Sequence, residues 1–295
     1  MRFRLLALLS AVPLFLLGAV PASASSEGHG YLALGDSVAF GFHPLPVSDR
    51  VDARNFIGYP EIVAQRLNIE DVNAACSGEA TGGFIDPQGL DNSCRGYRSV
   101  WPLHATYSGT QLAFAESYLN ANPRTRLVTL NLDANDFFRV TNGPSKDFWP
   151  PSTCFTPNFV VYLQTCAVQN LETILSGIRG TGYTGLIVVM TYYALDYSDS
   201  GGLFVSGLLN GAMITAAKSS DNVLVASGFD AWKATALAVG GSSCTAGLLI
   251  PLPTGGCDIH PTPAGRDLLA EAIVQTIASS CPAESAIGCL DRNQS

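Results

Sequence analysis

Residues 31–41 read Tyr31-Leu32-Ala33-Leu34-Gly35-Asp36-Ser37-Val38-Ala39-Phe40-Gly41, a short apolar run ended by glycine and two polar side chains. Continuous rather than alternating apolar character describes a strand covered on both faces, and Gly35 permits a sharp backbone turn at its end. Runs of the same kind recur at 72–75, 126–132, 186–192 and 223–226. Helical periodicity separates them over 59–67, 110–120, 159–178 and 204–219, and a last helix is expected from Thr262, its cap, to about residue 279, with Pro263 at the first helical position. Strands alternating with helices make a parallel sheet. The chain is therefore expected to be α/β, a three-layer α/β/α sandwich around a flavodoxin-like five-stranded parallel sheet.

The chain opens with Arg2 and Arg4, an apolar run from Leu5 to Val20 broken by Ser10 and Pro13, and the small residues Ala22-Ser23-Ala24. That is the pattern of an export signal, and the run is short of the ~20 residues that a spanning helix needs. Residues 1–24 are expected to be a signal peptide and 25–295 a single secreted domain, monomeric and without a stable membrane anchor. Removing the two arginines takes the net charge from −8 to −10. An acidic surface with no cluster of Lys or Arg repels phosphate backbones, which argues against nucleic acid as a partner.

All eight cysteines follow the signal, at 76, 94, 154, 166, 244, 257, 281 and 289. An even count behind an export signal argues for disulfides. The spacing falls into four close couples, Cys76 with Cys94, Cys154 with Cys166, Cys244 with Cys257 and Cys281 with Cys289. Sequence leaves on the order of a hundred connectivities open, of which sequential pairing closes four short loops. No Cys-x-x-Cys occurs, so a metal site is not expected. Residues 131–135, Asn-Leu-Asp-Ala-Asn, resemble the start of a calcium loop, but Asp136 stands where that loop requires glycine and Asn142 where it requires a bidentate Glu.

Ligand sites in such sheets lie beyond the carboxyl ends of the strands, near the point where strand order reverses. The residues there are Gly35-Asp36-Ser37, Cys76-Ser77-Gly78, Asp133-Ala134-Asn135-Asp136 and Tyr192-Tyr193. A serine hydroxyl becomes a nucleophile only beside a base that a third group orients. Ser37 has the position for it, although the triplet alone equally describes an Asp/Ser helix cap. Asp258-Ile259-His260-Pro261 supplies an acid and an imidazole two residues apart, which in extended chain point the same way. Of the other histidines, His29 and His104 lie in lead-in and loop segments; His43 is the rival base, with Asp49 as its nearest acid downstream. Acyl transfer also needs donors for a developing oxyanion. The Gly78 backbone N–H and the Asn135 amide fall on the same sheet edge, although each also fits an ordinary turn.

These four blocks, Gly35-Asp36-Ser37, Gly78, Ala134-Asn135-Asp136 and Asp258-x-His260-Pro261, resemble in kind and order those of the SGNH (GDSL) hydrolase superfamily. LALGDSVAFG, NAACSGEAT, SGTQLAF, RLVTLNLDANDFF and DIHPTPAG are similar to its secreted actinobacterial lipase and esterase branch, over most of residues 31–279. The third block carries Ala134 where that family usually has glycine. The resemblance implies an α/β/α fold, no cofactor and hydrolysis of carboxylic esters. It implies Ser37 as nucleophile, His260 as base and Asp258 as orienting acid, with the Ser37 and Gly78 backbone N–H groups and the Asn135 amide as oxyanion donors. It also implies the first three short-range disulfides. The Gly-x-Ser-x-Gly elbow of the α/β-hydrolases is absent.

The stretch 137–155, with Phe137, Phe138, Phe148, Trp149 and Phe155, is expected either to wall an acyl site or to pack onto the sheet. Phe40, Phe42, Tyr192 and Tyr193 would add apolar contact. Small-molecule or lipid esters, and among them fatty-acyl esters, are the expected substrates. The alternatives are a carbohydrate acetyl esterase and a non-catalytic secreted binding module, the latter requiring a lost triad position.

Overall fold

The computed structural model describes residues 30–44, 46–142, 156, 158–281 and 286–292; the expected signal peptide lies outside them. Five strands, β1 (Tyr31–Gly35), β2 (Asp71–Asn73), β3 (Leu127–Asn131), β4 (Leu186–Met190) and β5 (Val223–Ala226), form one parallel sheet in the order β2-β1-β3-β4-β5. Every residue of β1, β3 and β4 is buried, which is why these runs do not alternate in sequence. The apolar runs outlast the strands: Ala74, Ala75, Leu132 and Tyr192 lie beyond the last strand residue and are still buried.

The helices are α1 (Ser37–Phe40), α2 (Tyr59–Leu67), α3 (Thr81–Ile85), α4 (Cys94–Val100), α5 (Gln111–Ala121), α6 (Ala134–Asn142), α7 (Phe159–Tyr162), α8 (Val168–Gly180), α9 (Ser200–Ala217), α10 (Gly228–Leu237), α11 (Pro263–Ser280) and α12 (Ala286–Arg292). α2, α10 and α11 pack together on one side of the sheet, and α3, α5, α8 and α9 on the other. Caps set the boundaries. Thr262 accepts from Gly265 N at 3.2 Å, the cap that was expected, and Thr110, expected as the first residue of its helix, is instead its cap, accepting from Ala113 N at 3.1 Å. α9 starts at Ser200 rather than at 204 because Asp199 accepts from the N–H groups of both Gly201 and Gly202 at 3.0 Å. The helix expected over 159–178 widens into a π-type turn at Leu163–Ala167 between α7 and α8.

The sequence reading missed α3, α4, α6 and α10, and also a two-stranded antiparallel pair, β6 (Leu249–Pro251) with β7 (Cys257–Pro261). The described part of the tail after Cys281 is helical. It contains α12, whose Cys289 and Leu290 are fully buried. Cys76–Cys94, Cys244–Cys257 and Cys281–Cys289 are disulfides, with Cα–Cα distances of 5.6, 5.7 and 5.6 Å. The fourth expected pair rests on Cys154, outside the described residues. α9 is long and apolar enough to cross a membrane by length and composition. In this fold it packs one face on β4, β5 and α8 and leaves Phe204 and Ile214 exposed.

Candidate active site

The chain leaves β1 toward β2 on one side and leaves β3 toward β4 on the other, so the two connections diverge and open a crevice above the strand ends. Ser37, Asn135 and the β7 segment meet there. Gly35 has φ +144°, and a Cβ on it would lie 2.3 Å from the Asn131 carbonyl, so only glycine turns the chain here. The buried Gln111 amide holds this turn from both sides. Its Oε1 accepts from Gly35 N–H at 2.6 Å, and its Nε2 donates to Gly35 O at 3.0 Å. Asp36 then caps α1 by accepting from Val38 N at 2.9 Å, which sets Ser37 at the first helical position, 8% exposed. The backbone N–H at that position has no acceptor within its own helix.

β7 is extended, so Asp258 and His260 share one face as their spacing predicts. His260 Nε2 lies 2.8 Å from Ser37 Oγ. On the other side of the ring, Nδ1 hydrogen-bonds Asp258 Oδ1, which also accepts from His260 N at 3.0 Å. Burial raises the Asp258 carboxyl, but the bonds and charge of His260 outweigh it and hold that carboxyl below the usual carboxylate range. The strand is anchored from below: Tyr193 donates its hydroxyl to Ile259 O at 2.6 Å and stacks on the buried Trp232 ring at 3.7 Å. Phe42 meets the His260 ring edge-on at 4.9 Å.

Gly78 has φ +85°, and a Cβ there would run into the Asn92 carbonyl at 2.2 Å. Its N–H donates to no protein group among the described residues. Asn135 is 6% exposed; its Nδ2 donates to Asp36 Oδ2 at 3.3 Å, and its Oδ1 accepts from Asn92 Nδ2 at 2.9 Å. Tyr192 donates to the same Asp36 oxygen at 2.5 Å. Burial pushes Asp36 up to about 6 against these stabilising bonds. Asp136 braces α6: it accepts from Thr81 N, Thr81 Oγ1 and Tyr162 Oη at 2.9, 2.6 and 2.8 Å. Asp133 is different. It is fully buried at φ +122°, neither carboxylate oxygen has a hydrogen-bond partner, and burial drives it well above its ordinary range.

A cavity of about 640 Å³ opens from Ser37 and His260 and runs between α6 and α9, walled by Phe137, Phe138, Tyr192, Leu195, Val205 and Leu209. Two acids at its mouth are committed to nearby groups, Asp196 to Ser198 and Asp199 to the start of α9. Phe137 and Phe138 thus take the lining role expected of 137–155; Phe148, Trp149 and Phe155 lie outside the described residues. Phe40 does not reach the cavity. It is fully buried against Phe56 at 5.0 Å, because the one-turn helix α1 points it into the core.

The structure brings Ser37, His260 and Asp258 into one chain of contacts and gathers Gly78 and Asn135 beside it. It does not bring in the rival bases. His43 stacks on Phe56 at 4.8 Å and lies 4.0 Å from Asp49, and His104 Nε2 lies 3.1 Å from Phe40 O. Sequence reasoning missed Asn92, Gln111 and the Tyr193–Trp232 stack. Nothing in their local sequence marks them, since each acts across a long loop.

No protein-family model and no curated protein matches the chain. Among solved structures it is similar to Axe2, an acetylxylan esterase from Geobacillus stearothermophilus, with 17% identity, a TM-score of 0.52, and 85% of this chain and 94% of that one covered. It is similar to LAE5, an alpha/beta hydrolase enzyme from the metagenome of Lake Arreo, with 15% identity, a TM-score of 0.51 and coverage of 90% and 98%. A GDSL-like lipase from Parabacteroides merdae gives 15% identity, 0.50, and 88% and 95%. At such identities the likeness is one of fold, a five-stranded parallel sheet with helices on both sides.

Proposed function

We propose that this protein is a secreted serine ester hydrolase of the SGNH type, acting on fatty-acyl esters through an acyl-enzyme. The contact of His260 Nε2 with Ser37 Oγ at 2.8 Å, completed by Asp258 behind the ring, carries the proposal. His260 takes the Ser37 proton as Oγ attacks the ester carbonyl, then returns it to the leaving alcohol; Asp258 stabilises the imidazolium between. A second turn of the same cycle with water releases the acid. Ser37 N–H, Gly78 N–H and the Asn135 amide are the donors for the tetrahedral oxyanion. No cofactor takes part in these steps.

The apolar cavity beside Ser37 supports a fatty-acyl substrate over a sugar acetate, because Leu195, Val205, Leu209 and phenylalanines are among its lining residues. The mouth acids Asp196 and Asp199 are already bonded to protein and offer little to sugar hydroxyls. Export fits the three disulfides of the described chain, which persist in oxidising compartments.

A fluorophosphonate is expected to label Ser37, with Ser37→Ala abolishing both labelling and hydrolysis of p-nitrophenyl esters. His260→Ala should lose about 10³-fold or more in kcat and His43→Ala little. Full activity of Ser37→Ala would sink the mechanism. Faster turnover of acetylated xylan than of p-nitrophenyl decanoate would replace the acyl reading by the carbohydrate one.

A further inference from the structure

We infer that Asn92 is a positioning residue that fixes which face of the Asn135 amide looks into the oxyanion site; this rests on the esterase reading above. A planar amide can present either its oxygen or its NH2 group to a given neighbour, and only the NH2 group stabilises an oxyanion. Asn135 lies between two partners. Asp36 Oδ2 already accepts from Tyr192 at 2.5 Å and takes Asn135 Nδ2 at 3.3 Å, while Asn92 Nδ2 donates to Asn135 Oδ1 at 2.9 Å. The two contacts agree in sense: an acceptor on the nitrogen and a donor on the oxygen. One proton of the NH2 group is thereby bound to Asp36 and the second is left for the substrate.

Asn92 is itself held by the other proposed donor. Its N–H bonds to Gly78 O at 2.7 Å, and the left-handed Gly78 backbone packs directly against the Asn92 carbonyl. The Cys76–Cys94 disulfide closes the loop that carries both residues. Gly78 and Asn135 come from the ends of different strands; the bonds of Asp136 to Thr81 join the segments that carry them, but convergence of the two N–H groups on one point needs a tie between the donor residues themselves. Asn92 supplies the tie, a backbone bond to one donor and a side-chain bond to the other.

Asn92→Asp has nearly the same shape but puts an acceptor where a donor stood, so Asn135 turns its NH2 group toward residue 92 and away from the substrate. Its kcat is expected to fall on the order of 10²-fold, as for loss of one oxyanion donor, with KM within about two-fold. Asn92→Ala should lose about ten-fold, and the fluorophosphonate labelling rate of Ser37 should fall in parallel, because the phosphonyl oxygen occupies the same site. Circular dichroism and the melting midpoint check that both variants are folded. In an Asn135→Ala background either substitution should change kcat by less than about two-fold, since residues acting through one another are not additive. Wild-type kcat in Asn92→Asp, or a full multiplicative loss in the Asn135→Ala background, overturns the inference alone. An active Asn135→Ala removes the oxyanion assignment with it, and an active Ser37→Ala removes the esterase reading itself.

Discussion

At Asp133 the local cost is plain: a non-glycine residue at φ +122°, fully buried, with two unbonded carboxylate oxygens. Rare backbone geometry costs of order 1–3 kcal/mol and an unsatisfied buried polar group about as much. The side chain sits beside Asp36 and Asp136, whose charges raise it further after burial. Asp133→Gly removes both penalties, offset by about 0.5–1 kcal/mol of glycine backbone entropy. The variant should be more stable by about 1–5 kcal/mol, measured by urea unfolding; a loss of stability would show that the carboxyl has a compensating partner. Asn135 and Asp136 follow on the same turn, so kcat is the companion measurement. By contrast Asp36 and Asp136, equally buried, are each tied by several bonds.

Among the elements, the strand ends are held by side-chain amides as well as by backbone bonds such as Cys76 N–H to Gly35 O at 3.0 Å. Gln111 brackets Gly35 at the end of β1, and Asn210 does the same for Tyr192 beyond β4, accepting from its N–H at 2.8 Å and donating to its carbonyl at 2.9 Å. Asn210 belongs to α9, so this pair ties the helix that walls the cavity to the tyrosine that supports Asp36. Asn210→Ala leaves two buried backbone groups unpaired and should cost about 2–4 kcal/mol, with a fall in kcat as Tyr192 shifts. Urea midpoints and p-nitrophenyl decanoate kinetics test this. A stability change below about 0.5 kcal/mol would mean that water replaces the amide, since exposed substitutions lie in that range.

Across the whole molecule, buried acids make stability depend on pH in an unusual direction. Burial, and then the charge of Asp91, pushes Glu79 from 4.5 up to about 8. The folded chain keeps a proton that the unfolded chain gives up, so this stability is complete below about pH 4.5 and is lost as pH rises through about 8. Asp36, at about 6, acts in the same sense. The melting midpoint should therefore fall between pH 5 and pH 9, and Glu79→Gln should remove much of that slope; an unchanged slope would exclude Glu79 as its source. The α/β class, five strands, the cap at Thr262, and the Asp258-x-His260 pair were all legible in the sequence, because each depends on side-chain period or on residues a few positions apart. Burial on both faces writes itself as unbroken apolar runs, and an extended two-residue spacing fixes a shared face. Sequence by itself also set the order of the four motifs. Which histidine meets Ser37 was decided only by the fold, since β7 reaches the serine from 223 residues away while His43, six residues off, is turned onto Phe56. The same holds for Asn92, Gln111 and Asn210, whose partners are chosen by how distant loops and helices pack, a property that no local pattern of residues encodes.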